Sequence, residues 1–233
     1  MIAWCHKINR YAGLIFFVVL MFATAFAQSL FSKADIQMDN VNHVPSVMRF
    51  GSDSHVTAAE FWGAFRSAYA ISNDVKMVLQ DSSTDEFGQT HYRYVQYYKD
   101  VEIADYQYLL HERNGSLYLA HGHLITGLNI DVQPRLSEDK ALENALSYLG
   151  AERYMWENTD NENWIKRIKN DSTATFYPSG EIKLTTGKKA PGAENIHLVY
   201  RFKISEEQPF GEYYVDVDAH SGKIVNKISL TQE

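Results

Sequence analysis

A single cysteine, Cys5, stands in this chain of 233 residues, so neither an intrachain disulfide nor a cysteine-ligated structural zinc site can form. Stability has to come from packing, strand ladders or a partner. With 5 prolines and 13 glycines the chain is neither collagen-like nor low-complexity, and 45% hydrophobic content with 13% aromatic residues excludes a wholly disordered polymer. Positive charge is scarce as well: 22 Lys and Arg face 29 Asp and Glu, which excludes a polybasic nucleic-acid binder. Catalytic signatures are missing. His111-Glu112 runs into Arg113-Asn114-Gly115, so no His-Glu-x-x-His occurs. There is also no Gly-x-Ser-x-Gly elbow, phosphate-binding loop or dinucleotide fingerprint. The chain reads as non-enzymatic, with no catalytic residue, cofactor site or metal site assigned.

What is present begins with an export signal. Residues 1–27 carry a cationic Lys7 and Arg10, an apolar run from Leu14 to Phe22 and the small-residue ending Ala25-Phe26-Ala27. That layout is a cleavable signal peptide, cut before Gln28, which takes Cys5 with it. The rival is an uncleaved anchor, because Tyr11 to Ala27 is 17 residues without a formal charge, at the short limit for a span. The Ala-x-Ala ending favours cleavage, leaving no stable membrane span and a destination in the medium, at the cell surface or in the periplasm. Without Lys7 and Arg10 the chain holds 20 basic against 29 acidic side chains, a net charge of −9. Its partner is expected to be another protein, with no nucleic acid.

Residues 28–55 show little periodicity and read as an entry arm. A helix follows: Thr57-Ala-Ala-Glu60 is a capping box, and Phe61, Trp62, Phe65 and Tyr69 share one side of a helix ending near Ala70. From Lys76 the period changes to two. Strands are expected around Met77–Leu79, Tyr92–Tyr98, Tyr106–Leu110 and Leu117–Leu119, the last two joined by an Asn114-Gly115 hairpin turn. After Pro134 a second helix runs from the Ser137 N-cap to the Gly150 C-cap. A short helix is expected around Trp164. Further strands are expected at Ala174–Tyr177, Ile182–Thr185, Leu198–Ile204, Tyr213–Val217 and Lys223–Ile228. The result is an α+β fold of two small modules, each an amphipathic helix on an antiparallel sheet.

Three groups of side chains could carry chemistry. His121 and His123, two apart on a strand, would offer two imidazoles, with His91 or His111 as a third metal ligand; ordinary strand histidines are the favoured reading. Asp216 and Asp218 also share a strand face; a solvated outer face beside Lys223 and Lys227 is favoured over an acid/base pair. The tyrosine-rich segment 92–108 would serve as a stacking platform, but sheet core and cross-strand pairing are favoured.

Asp85-Glu-Phe-Gly-Gln-Thr-His91-Tyr-Arg-Tyr94-Val-Gln96-Tyr-Tyr-Lys99-Asp-Val101-Glu-Ile103 with Leu110-His-Glu-Arg-Asn-Gly115-Ser-Leu117, closing at Gly122, resembles the fungalysin/thermolysin propeptide motif. The later Leu198-Val-Tyr-Arg-Phe-Lys-Ile204 and Tyr213-Tyr-Val-Asp216-Val-Asp-Ala-His-Ser-Gly222-Lys-Ile-Val225 are similar to a PepSY module. The order matches the propeptides of thermolysin-like zinc metallopeptidases. The family usually has Gly where Asp100 stands, Pro near Glu102 and Gly near Asp105, so the turn after Lys99 departs from the pattern. The resemblance implies a cystatin-like or PepSY-like fold, with a fungalysin/thermolysin-propeptide-like module at 56–133 and a PepSY-like module at 134–233. It also implies a zymogen in which this chain is a non-catalytic inhibitor and folding chaperone of a thermolysin-like catalytic domain, in cis or in trans. Zinc is then expected only in that domain, beyond Glu233, and the chain is a precursor fragment. The alternative is a free-standing exported PepSY-type inhibitor or binding protein. The contact is expected at Tyr92, Tyr94, Gln96 and Tyr98, or at Tyr213, Asp216 and Asp218 of the C-terminal hairpin.

Overall fold

The computed structural model describes residues 34–231, so the export signal at 1–27 and the start of the arm lie outside the described residues. The chain forms two compact units that interleave in sequence. The described part of the first comprises 34–73, 77–95 and 106–124; that of the second comprises 74–76, 96–105 and 125–231. The compact units change over after Leu124, ten residues before the Pro134 junction. Strands β3 (Val75–Thr84), β4 (Gln89–Tyr98) and β5 (Val101–Arg113) run for 10, 10 and 13 residues, about twice the usual length, and each gives residues to both units.

In the first unit, β1 (Asp35–Met38) and β2 (Pro45–Arg49) form an antiparallel hairpin where the sequence suggested an irregular arm. The Asp39 carboxylate closes its turn by accepting from the amides of Val41 and Asn42 at 2.8 and 2.6 Å. Most of β1 is exposed, which removes the alternation that marks a half-buried strand. The strand order is β1-β2-β6-β5-β4-β3, with β6 spanning Ser116–Gly122. Asn114 and Gly115 turn β5 into β6 with φ of 51° and 74°, as a type I′ turn demands. Helix α1 (Ala58–Phe65) carries the expected capping box: Thr57 Oγ1 accepts from the Glu60 amide, and Glu60 Oε2 accepts from the Thr57 amide. Its regular turns stop at Phe65, earlier than expected, yet Tyr69 still joins Phe61 and Phe65 in the core against Tyr108, Leu110 and Leu117. Burying Phe61 completely contributes about 2–3 kcal/mol.

In the second unit, α2 (Glu138–Leu149) starts at the Ser137 cap and ends at Gly150, whose φ of 65° lets its amide reach the Leu146 carbonyl. Its Ala141, Leu142 and Ala145 are buried, and it packs on β9 (His197–Gln208), β10 (Gly211–Asp218) and β11 (Ile224–Ser229). Two-residue β7 (Arg153–Tyr154) pairs with β9, and α3 (Thr159–Lys169) is the helix expected around Trp164. The order is β5-β8-β9-β10-β11, where β8 is Gly180–Thr185. Two expectations are corrected. The β5–β8 pairing, Ile103 opposite Leu184, is parallel, so the sheet is mixed. Ala174–Tyr177 is not a strand: the Phe176 amide donates to Glu162, and the Tyr177 amide donates to the Thr175 hydroxyl, which spends locally the groups a ladder needs. The class is α+β, as the helix and strand patterns implied. Among the described residues no helix is long and apolar enough to cross a membrane.

Candidate functional site

Strand alternation decides which of the expected contact residues reach solvent. On β4, Tyr92 and Tyr94 are half-buried, and Tyr94 meets the Trp62 ring edge-on with centroids 5.6 Å apart. Burial, with the Glu112 charge adding to it, raises the phenol pKa of Tyr92; burial, then Tyr92 and Glu112, does the same for Tyr94. Both remain neutral hydrogen-bonding groups at any physiological pH. Further along the strand, Gln96 is only 3% exposed: its amide nitrogen donates to the Ile125 carbonyl at 2.7 Å, and its oxygen accepts from the Ile125 amide at 2.9 Å. Tyr98 is equally buried. Gln96 and Tyr98 are therefore interior groups.

Asp216 is an interior group as well. It has no exposed surface and accepts from Arg201 Nε at 2.7 Å and Nη2 at 2.9 Å, directly across the β9–β10 register. The same guanidinium donates to both oxygens of Asp105 at 2.9 Å, and Thr185 Oγ1 donates to Asp105 Oδ2 at 3.0 Å. Burial pushes the Asp105 carboxyl up, but the Arg201 hydrogen bonds and charge, with Thr185, overcome it and hold the pKa below the usual value. Asp218 is buried and caps the turn into β11, accepting from the Ser221 amide and hydroxyl and from the His220 amide, while its other oxygen meets His197 Nδ1 at 2.9 Å. Neither carboxylate sits on the solvated face expected beside Lys223 and Lys227, and neither is free to act as an acid or base. Tyr213 is half-buried, with Lys227 Nζ 3.8 Å over its ring. Of the seven expected contact residues, Tyr92, Tyr94 and Tyr213 retain solvent-accessible surface.

The histidines divide differently from the sequence expectation. His121 and His123 are parted because β6 ends at Gly122, whose φ of 149° breaks the strand alternation. His123 Nδ1 lies 3.3 Å from Asp39 Oδ2. His121 instead joins the other two: His91 Nδ1 is 2.6 Å from His111 Nδ1, His111 Nε2 is 2.9 Å from His121 Nε2, and His91 Nε2 is 3.3 Å from Asp85 Oδ2. The His111 and His121 rings are stacked with centroids 5.0 Å apart. Burial, then the neighbouring His121 and His91, lowers the pKa of His111 to about 4, and burial lowers that of His121. Nothing local in the sequence marks Arg201 or Asp105 as a site residue beyond the glycine that the family usually has near Asp105.

The Fungalysin/Thermolysin Propeptide Motif matches residues 75–124. Bacillolysin of Bacillus amyloliquefaciens is 26% identical over 155 residues, which cover 65% of this chain and 27% of that protein, so the chain spans little more than a quarter of the relative's length. Among solved structures, the C-terminal domain of Bacillus megaterium YpeB aligns over 85% of this chain and 76% of its own at 11% identity, with a TM-score of 0.37. A putative lipoprotein from Clostridium difficile aligns over 76% and 95% at 15% identity, with a TM-score of 0.23. The run of strands from β3 through β6 thus matches the fungalysin/thermolysin propeptide motif, in a chain similar to Bacillolysin.

Proposed function

We propose that this chain is a non-catalytic prosegment that inhibits a secreted thermolysin-like zinc metallopeptidase and assists its folding. The observation that carries the reading is the propeptide motif over residues 75–124, supported by the 26% identity to Bacillolysin. Residues 134–233 form the PepSY-like part of the same prosegment, and the zinc belongs to the catalytic domain. A tethered prosegment faces its protease at an effective concentration on the order of millimolar, so even micromolar affinity keeps about 99.9% of it bound. Cutting the tether removes that advantage and releases the enzyme. The contact falls to Tyr92 and Tyr94 of the first unit, or to Tyr213 of the second, whose rings keep accessible surface. Half-buried aromatic rings of this kind supply contact area at low entropic cost.

Refolding a thermolysin-type catalytic domain with and without this chain in trans tests the proposal. The expected result is a higher yield of folded enzyme whose peptidase activity stays suppressed until the chain is digested. An unchanged yield together with unchanged activity overturns it.

A further inference from the structure

Three imidazoles and a carboxylate run in file along the first unit: Asp85 at the β3–β4 turn, His91 on β4, His111 on β5 and His121 on β6. A metal cage requires several ligand atoms to converge on one point about 2.1 Å away. Here His111 turns one nitrogen toward His91 and the other toward His121, and no group of three ligating side chains converges among the described residues. The arrangement is a relay of hydrogen bonds, and its protons can be counted.

Each of the three links holds one hydrogen. Three neutral imidazoles bring three, which fill the links when His91 donates from Nε2 to Asp85, His111 from Nδ1 to His91 Nδ1, and His121 from Nε2 to His111 Nε2. A fourth proton has a place at His121 Nδ1, the open end of the file, and leaves every link intact. A fifth does not: it would put two hydrogens into one nitrogen–nitrogen gap of 2.6 or 2.9 Å and break that link. An unfolded chain has no such ceiling and charges all three rings.

We propose that Asp85, His91, His111 and His121 form a proton-operated switch that ties β4, β5 and β6 together at neutral pH and comes apart in mild acid, loosening the first unit. The surroundings disfavour a second positive charge. Arg93 on β4 hydrogen-bonds Gln107, Arg113 on β5 lies 5.0 Å over the Tyr118 ring beside His111, and Arg49 on β2 is held by Asp35 of β1 at 3.3 Å. Asp39 is engaged with His123, and Glu112 accepts from the Ala58 amide. Among the described residues, Asp85 is left as the acid hydrogen-bonded to the relay. The lowered pKa values of His111 and His121 agree in sign. Free imidazoles take up protons near pH 6.5, those of His111 and His121 in the fold only at lower pH, so their stabilisation is complete above about 6.5 and is lost as pH falls toward 4. In its consequence the switch rests on the prosegment reading: a prosegment so built lets go of its protease more readily in acid.

The test is urea unfolding of the full chain between pH 7.5 and 4.5, in EDTA, for wild type, His111→Phe and His121→Gln. For each proton by which the unfolded chain exceeds the folded one, the folding constant falls tenfold per pH unit. The wild type is therefore expected to lose ten- to a hundredfold per unit below pH 6.5. His111→Phe should flatten that slope; should it fail to fold, His121→Gln at the accessible end of the relay provides the same reading. An unchanged slope in the variants overturns the switch. So does a zinc chloride stabilisation of the wild type that EDTA reverses, which would make the cluster a metal site. No protease enters this assay, so its outcome is separate from that of the refolding experiment. Inhibition of a thermolysin-type catalytic domain at pH 7.5 and 5.5 then reads the consequence.

Discussion

Arg201 holds the fully buried Asp216 through two hydrogen bonds, from Nε and Nη2, and leaves the remaining edge of its guanidinium to the half-exposed Asp105. The planar fork serves two carboxylates at once, a geometry that lysine could not reproduce. The cost of breaking this cluster depends on which charge is stranded. Arg201→Ala leaves Asp216 buried without a counter-charge and should cost about 3–5 kcal/mol. Asp216→Asn keeps the volume and removes one charged acceptor, so it should cost about 1.5–3 kcal/mol. Asp105→Asn, closer to water, should cost least. Urea midpoints of the three variants give the order, and an Asp105→Asn penalty equal to that of Arg201→Ala would contradict it.

Acid should act on the chain in two separate windows. Asp39, Asp105 and Asp218 each have carboxyls held below the usual value, because hydrogen bonds or Arg201 outweigh the burial that opposes them. A carboxyl with a depressed folded pKa stabilises fully above its unfolded pKa, near 3.9, and loses that contribution as pH falls through the folded value. The histidine relay has the opposite chemistry but the same direction, and its losses come earlier, between about 6.5 and 4. Stability plotted against pH should therefore fall in two steps. Arg201→Ala should diminish the lower step only, and His111→Phe the upper only. A single step in all three proteins would count against this assignment.

Local signals were legible wherever the physics is local. The Thr57–Glu60 box, the Asn114-Gly115 turn and the Ser137 and Gly150 caps each satisfy backbone groups a few residues away, and each sits where the sequence placed it. What escaped the sequence depends on residues far apart in the chain. The parallel pairing of Ile103 with Leu184 and the Asp105–Arg201 contact span 81 and 96 residues and leave no periodic mark. Asp216 read as solvated because the alternation of β10 says which residues share a face, not which face is buried. The spacing of His121 and His123 suggests a shared face, but β6 ends at Gly122 with a φ of 149°, and His121 meets His111 while His123 meets Asp39.

The two hairpin turns of two residues within the propeptide motif form an internal comparison. Asn114-Gly115 and Lys99-Asp100 both place two successive residues at positive φ, 51° and 74° against 46° and 65°, but only the first uses residues suited to it. Lys99 and Asp100 carry a Cβ that this region disfavours by about 1 kcal/mol. The Asp100–Lys76 ion pair at 2.6 Å is exposed and offsets little of that. Replacing Lys99 with Asn and Asp100 with Gly together should stabilise the chain by about 0.5–1 kcal/mol, read as a higher urea midpoint with an unchanged slope. A lower midpoint would mean that Asp100 does more here than its exposure suggests.

Gly122 should be the least replaceable glycine of the motif. It pairs with Tyr108, and a Cβ built on it would lie 2.3 Å from the Gln107 carbonyl oxygen and 2.7 Å from Tyr108 Cα, both backbone atoms that cannot swing aside. Tyr108 is itself fixed in the core by its hydroxyl contacts with Tyr69 and with the Pro45 carbonyl. Gly122→Ala must therefore prise β6 from β5 or strain its own positive φ, at about 2–4 kcal/mol. Gly115→Ala meets nothing within 4 Å and pays only for its φ of 74°, about 1 kcal/mol. Because β6 also carries His121 to His111, the first substitution should shift the imidazole resonances of His111 and His121 in the NMR spectrum, and the second should leave them in place. Equal losses of stability, or undisturbed imidazoles in Gly122→Ala, would show that the close approach of β5 and β6 at this point is not what holds the relay in register.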